Sequence, residues 1–223
     1  MLNYKIFVPF FSAIFLTAST GLAQEIGQTT VSSGVSTFGA NVEVAYQIDP
    51  LIRIRGALAG LPNLDALSGS FEEDGTTFEY DATIGAIVTL VDFYPTSSGW
   101  RVSGGFLYNQ TELTANATLT ADNTFTVDNG TEIESGRVDV VSSFKKQVSP
   151  MITSGYDYKF QDKWVLGVEI GAIYTGGVDL DVSSTDSRLQ AEIDNDSDIQ
   201  EARNAADDLT YYPYVSISVG YQF

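Results

Sequence analysis

Residues 211–223 read YYPYVSISVGYQF, and from Val215 to Phe223 apolar residues alternate with small or polar ones. A two-residue period places successive side chains on opposite faces of an extended strand. One face of this strand is therefore apolar, and the other carries Ser, Gly and Gln. The stretch predicts a long β-strand that separates two different environments.

The same alternation recurs elsewhere in the chain, in GANVEVAYQI (39–48), LIRIRGALAG (51–60), GWRVSGGFLYN (99–109), VSPMITSGYDYKF (148–160) and KWVLGVEIGAIY (163–174). A soluble β-sandwich also alternates, but its solvent face usually carries many charges. Here the polar faces hold mostly Gly, Ser, Thr and Asn with isolated charges, as expected inside a narrow barrel. Aromatic residues collect at the strand ends, which is typical of barrels that span a membrane. The pattern therefore favours a transmembrane β-barrel.

The links between these strands set the strand number. Three links are short (49–50, 95–99 and 161–162), and three are long and polar (61–77, 116–137 and 178–209). Dividing the first long strand at Thr37-Phe38-Gly39 gives an even number, as single-chain barrels require. We predict an all-β fold, an eight-stranded antiparallel transmembrane β-barrel whose long links are outer loops. Pro150 predicts a bulge or an edge defect within its strand.

The last long link contains a helical pattern. Leu189 and Ile193 are four residues apart, and Ala202, Ala206 and Leu209 follow among helix-forming neighbours. The pattern predicts a short helical segment, or a broken pair of helices, that rests on the barrel rim.

The first residues predict a signal peptide. Lys5 precedes an apolar run from Ile6 to Leu16, and Gly21 and Ala23 place small residues at a cleavage site. We therefore assign residues 1–23 to the signal peptide and 24–223 to the barrel.

Isolated charges on the polar faces predict a network inside the barrel. Buried carboxylates and guanidinium groups persist only when they are paired. Strand alternation turns six such residues inward: Glu43, Arg53, Arg55, Arg101, Asp157 and Glu169. In an eight-stranded barrel such side chains fill the interior. We therefore predict a lumen ion-pair network and no wide pore.

Three segments resemble a known group of proteins: GANVEVAYQIDPLIRIRGALAG, LVDFYPTSSGWRVSGGFLYN and LTYYPYVSISVGYQF. They are similar to small, largely uncharacterised proteobacterial outer-membrane proteins with OmpA/OmpX-type barrels. The resemblance implies a place in the cell outer membrane, with membrane lipid and lipopolysaccharide as neighbours. It also implies that Tyr221 and Phe223 belong to the signal read by the outer-membrane assembly machinery. It implies no catalytic residue.

Composition narrows the function further. The chain has no His, the residue on which the known barrel enzymes of this membrane depend for proton transfer, so we predict no enzyme. The net charge of −18 disfavours nucleic-acid binding. A structural or surface role in the cell envelope is the leading prediction. The alternative is a narrow channel or a path for small hydrophobic solutes, as in OmpW-like barrels.

Acidic residues concentrate in the long links, which carry 18 of the 29 Asp and Glu residues. The run DNDSD (194–198) resembles the start of a calcium loop but has Ile199 where Gly is required and Ala205 where Glu is required. We therefore predict no cofactor and no defined metal site. Loose binding of divalent cations at the acidic outer loops remains an expectation.

Overall fold

The computed structural model describes residues 25–60, 68–73, 76–96, 98–119, 125–126, 132–133 and 136–223. The predicted signal peptide, residues 1–23, lies outside the described residues.

Eight strands close into an antiparallel barrel, which confirms the predicted fold. Around the barrel each strand pairs with its neighbours in the order β1-β15-β13-β12-β7-β6-β3-β2, and β2 then returns to β1. We call the end where β1 begins and β15 ends the lower rim, and the opposite end the upper rim. The bounds are β1 (Thr29–Ser36), β2 (Gly39–Asp49), β3 (Ile52–Gly60), β6 (Gly85–Phe93), β7 (Trp100–Asn109), β12 (Val148–Phe160), β13 (Trp164–Tyr174) and β15 (Tyr211–Gln222).

The two faces of the barrel strands differ as the alternation predicts. Val168 is 44% exposed on the outside, whereas the adjacent Glu169 is 6% exposed in the lumen. Aromatic rings mark both ends of the apolar outer surface. At the lower rim the Trp164 and Tyr221 rings are 5.3 Å apart, and at the upper rim Tyr174 and Tyr211 are 5.4 Å apart.

The long polar links are not simply loops, contrary to our expectation. Much of each forms β-structure that rises beyond the upper rim as a second sheet, here called the wall, in the order β14-β11-β8-β5-β4. Its strands are β4 (Gly69–Glu73), β5 (Thr76–Thr83), β8 (Glu112–Leu119), β11 (Gly136–Phe144) and β14 (Val178–Ser184). A small hairpin of β9 (Phe125–Thr126) and β10 (Glu132–Ile133) lies between β8 and β11 in the chain.

Two helices follow the wall, α1 (Ser187–Asn195) and α2 (Ser197–Asp207), so of the two predicted alternatives the structure has the broken pair. Each helix begins at an aspartate that accepts backbone N–H groups, Asp186 for α1 and Asp196 for α2. Hydrogen bonds from Arg188 lower the pKa of Asp186 to about 2. The apolar side of α1 packs on the wall, where Leu189 and Ile193 are buried. The prediction that the helical segment rests on the barrel rim is therefore wrong for the apolar side of α1. No helix within the described ranges is long and apolar enough to cross a membrane.

Pro150 does not cause a bulge. The register of β12 with β7 continues through Pro150 and Phe106 without a shift. The ladder of β12 with β13 begins one residue later, at Met151. Pro150 thus lies just outside the β13 ladder, where the donor that proline lacks is not required.

Candidate functional site

The lower half of the lumen contains a buried network of charged side chains centred on two arginines of β3. Arg53 Nε lies 2.7 Å from Asp92 Oδ2, and its Nη2 lies 3.0 Å from Asp157 Oδ2. Arg55 Nε donates to the second oxygen of Asp92 at 2.9 Å. Asp92 is 0% exposed and holds the two arginines side by side.

Arg55 also connects a glutamate of the neighbouring strand β2 with one of β13 on the opposite side of the barrel. Its Nη1 donates to Glu43 Oε2 at 2.8 Å and to Glu169 Oε2 at 2.8 Å. Thr153 donates a further hydrogen bond to Glu169. One guanidinium therefore joins β2, β3 and β13 across the lumen, which ties strands that are not neighbours in the sheet.

Arg101 is held more loosely. Its closest ion-pair distances, to Asp157 and to Glu169, are both 3.4 Å. Its side chain is 3% exposed, and its Nη1 atom has no hydrogen-bond partner among the described atoms. The guanidinium lies against Gly155, where an added Cβ would come within 2.4 Å of Nη1. Because Gly155 has no side chain, the Arg101 guanidinium has space to extend toward Asp157 and Glu169.

The structure brings all six predicted lumen residues together, but the prediction missed Asp92 and Tyr94. The Tyr94 hydroxyl donates to Asp157 at 2.7 Å. Asp92 was missed because both faces of β6 are largely apolar, so alternation could not separate inside from outside. One signal was available: Asp92 lies directly opposite Arg53 in the pairing of β3 with β6.

The upper half of the lumen is filled by apolar side chains, which we call the plug. Leu107 and Ile173 are each 0% exposed there, and an aromatic cluster covers them. Ring centroids of Phe38 and Tyr212 are 5.9 Å apart, and those of Phe144 and Tyr212 are 5.1 Å apart. The buried members are Phe38, Ala86, Val88, Leu90, Leu107, Met151, Ile173 and Tyr214.

Little space remains in the lower lumen. The cavity lined by Thr30, Arg53, Asp157 and Lys159 has a volume of about 10 Å³, room for about one water molecule. Within the described ranges no three Asp or Glu side chains form a group that could hold a metal ion. The Asp92, Asp157 and Glu169 carboxylates all contact arginines, an arrangement suited to cross-linking strands.

Tyr221 and Phe223, the predicted assembly signal, lie at the lower rim. The Phe223 side chain is 70% exposed, and its ring centroid is 5.0 Å from that of Tyr221. The Phe223 backbone N–H donates to Thr29 O at 2.9 Å, so this residue extends the seam between β1 and β15.

Two solved structures are similar to the chain as a whole. Acinetobacter baumannii CarO is 18% identical with a TM-score of 0.55, over 90% of this chain and 99% of that one. A. baumannii CarO2 is 16% identical with a TM-score of 0.53, over 89% of this chain and 100% of that one. At these identities the likeness shows the fold alone, a small closed β-barrel. No protein-family model and no curated protein matches the chain.

Proposed function

We propose that this chain is a non-enzymatic barrel of the bacterial outer membrane with a structural and surface role in the cell envelope. The apolar outer surface between two rows of aromatic rings supports a membrane position, with lipid and lipopolysaccharide as its neighbours. The wall and its helices would stand at the cell surface, because such barrels keep short turns on the periplasmic side.

The observation that carries this proposal is the filled lumen. The ion-pair network occupies its lower half, and the plug occupies its upper half. A solute would have to separate buried ion pairs and then displace packed apolar side chains. The closed lumen supports a structural role over the alternative of a narrow channel.

Conductance in planar bilayers tests the closed lumen. Refolded wild-type protein should give no stable openings, whereas a porin run in parallel should. Stable openings of the wild type at a fixed amplitude would favour the channel.

Two further experiments test the remaining parts of the proposal. Mass spectrometry of lipid A and phospholipids from cells with and without the protein should show no change in acyl chains, and a change would establish an enzyme. Because the chain has no Cys, single cysteines report topology cleanly. An impermeant maleimide should label Ser183→Cys in the wall on whole cells but not Lys163→Cys at the lower rim.

A further inference from the structure

The wall has an apolar face that continues the lumen face of the barrel. β5 pairs with β8 in the register in which β6 pairs with β7, from Thr83 opposite Glu112 to Ala86 opposite Asn109. Side chains that point into the lumen therefore stay on one side of the sheet as the strands rise. We call this side the inner face of the wall.

Among the described residues, the helix pair covers the β11–β14 end of the inner face. Leu189 and Ile193 of α1 pack there against Val138 of β11 and Val182 of β14. Toward the other edge three large side chains are open: Phe71 is 52% exposed, Tyr80 is 42% exposed and Leu113 is 49% exposed. The open patch, covered by no described part of the chain, consists of Phe71, Phe78, Tyr80, Leu113, Ala115 and Ala117.

The open patch lies in a strongly acidic part of the molecule. Among the described residues beyond the upper rim (68–73, 76–83, 110–119, 125–126, 132–133, 136–147 and 175–210), 17 are acidic and 5 are basic, a net charge of −12. The basic side chains among them are mostly engaged already. Arg137 contacts Asp139, Lys145 contacts Asp207, and Arg188 contacts Asp186.

We propose that the open patch binds a cationic amphipathic helix of another molecule. The contact of α1 shows that the inner face accepts a helix through apolar residues four positions apart. The remaining patch continues this interface across the neighbouring strands. A partner with Lys or Arg on its polar side would be attracted to the acidic surroundings. A second copy of this chain would bring a charge of the same sign and be repelled.

Binding to synthetic peptides tests this proposal on the full chain, refolded into nanodiscs of zwitterionic lipid. The probe is a peptide of about 15 residues, long enough for a marginally stable helix, made of Leu, Lys and Ala with Leu at helical spacing. Two comparison peptides have the same composition in scrambled order, or Glu in place of Lys. Fluorescence anisotropy, corrected with empty nanodiscs, measures Kd.

The amphipathic Lys peptide should bind most tightly, and its affinity should fall as salt rises. Phe71→Ser combined with Leu113→Ser should weaken it by about tenfold or more, because apolar contact area is lost. Leu209→Ser is the matched control. This residue is 60% exposed and lies outside the open patch, and its change should leave Kd unaltered.

Three results would overturn the proposal. Equal binding of the amphipathic and scrambled Lys peptides would reduce the interaction to charge alone. A dimer that forms with rising concentration and is lost in the Phe71→Ser, Leu113→Ser variant would make a second copy the occupant. Failure of Phe71→Cys to react with a maleimide in the folded protein would show that the patch is already covered. None of these outcomes depends on whether the lumen conducts.

Discussion

Asp92 is the residue on which the lumen network depends most. It is fully buried and accepts from both Arg53 and Arg55, whereas Glu43 contacts Arg55 alone and its side chain is 16% exposed. We expect Asp92→Asn to cost about 3–5 kcal/mol of unfolding free energy, because two buried guanidinium groups lose one compensating charge. Glu43→Gln, the matched control, should cost about 1 kcal/mol. Urea unfolding in lipid vesicles measures both. Equal losses of unfolding free energy would show that the contribution of these two carboxylates to stability does not depend on their burial.

Gly155 leaves the space that the Arg101 guanidinium occupies. A methyl group there would meet Arg101 Nη1 at 2.4 Å and Val168 O at 2.8 Å. Gly155→Ala should therefore displace the arginine and cost about 1–3 kcal/mol. Gly104→Ala is the control, since an added Cβ at that position meets nothing within 4 Å. Heat modifiability on gels gives the fraction of folded barrel. A Gly155→Ala barrel as heat-resistant as Gly104→Ala would contradict the packing argument.

Phe223 gives a prediction about assembly. Its exposed ring packs against Tyr221, and the contact of its backbone N–H with Thr29 does not need the ring. Phe223→Ala should therefore lower the amount of barrel in the outer membrane while the stability of refolded protein is kept. Chromosomal alleles followed by membrane fractionation measure the first, and urea unfolding measures the second. Normal amounts of inserted Phe223→Ala protein would show that the Phe223 ring is not part of the assembly signal.

The direction of a side chain could be predicted where a single charged residue stands on a strand face that otherwise carries small residues. Arg53, Arg101 and Glu169 stand among small residues on strands with an apolar opposite face, so their inward direction follows from alternation alone. The plug could not be found in this way. Leu107 and Ile173 lie at inward positions but are as apolar as the lipid-facing side chains beside them. Only the closure of the barrel separates the two environments.

Side chains of the helix pair cover the backbone at the edge strand β14 of the wall. Thr185 N–H bonds to Arg137 O on β11, so the alternate backbone groups of β14 point away from the sheet. Two side chains of the helix pair meet them: Ser184 N–H donates to Gln190 Oε1 at 2.7 Å, and Arg203 Nη2 donates to Val182 O at 3.0 Å. The helices thus protect an edge that would otherwise be free to pair with another strand.

This arrangement predicts local opening when the edge contacts are removed. Gln190→Ala combined with Arg203→Ala should raise the rate of protease cleavage within 185–209 by about tenfold, because two hydrogen bonds that close the segment are lost. Gln200→Ala is the control, since Gln200 bonds to Asp194 O within the helix pair and leaves the edge contacts in place. Unchanged cleavage in the double variant would show that apolar packing alone holds the helices.

The wall also marks the limit of prediction for elements. Segments such as TTFEYDAT (76–83) and VDLDVSS (178–184) alternate like strands, but their charged residues are typical of loops. The charges lie on the face opposite the inner face. Each segment therefore shows the alternation of a strand and the charge content of a loop. Strand pairing beyond the rim depends on the register of the strands inside the barrel. A short stretch of sequence carries no information about that register. The helix pair was predictable because its signals are local.

Most of the charge of the molecule is separated from its membrane-spanning part. The described residues of the wall, the helices and the segments that link them hold 17 acidic and 5 basic side chains, whereas the lumen balances three arginines against four carboxylates. Within the described ranges no group of three acidic side chains could hold a metal ion. Loose binding of divalent cations to the wall stays a prediction; as a diffuse atmosphere they would reduce repulsion among its carboxylates.

Protease protection tests this interpretation. At constant ionic strength, Mg²⁺ and Ca²⁺ should slow cleavage within 178–209 to the same extent, because a diffuse atmosphere does not distinguish ions of equal charge. The barrel strands should stay intact in every condition. A clear preference for Ca²⁺ would indicate a specific binding site. Equal cleavage with and without chelator would show that divalent cations do not protect this segment.

On whole cells the same segment should be cleaved faster after chelation. Cleavage only after the outer membrane is opened would place the wall in the periplasm and reverse the proposed topology.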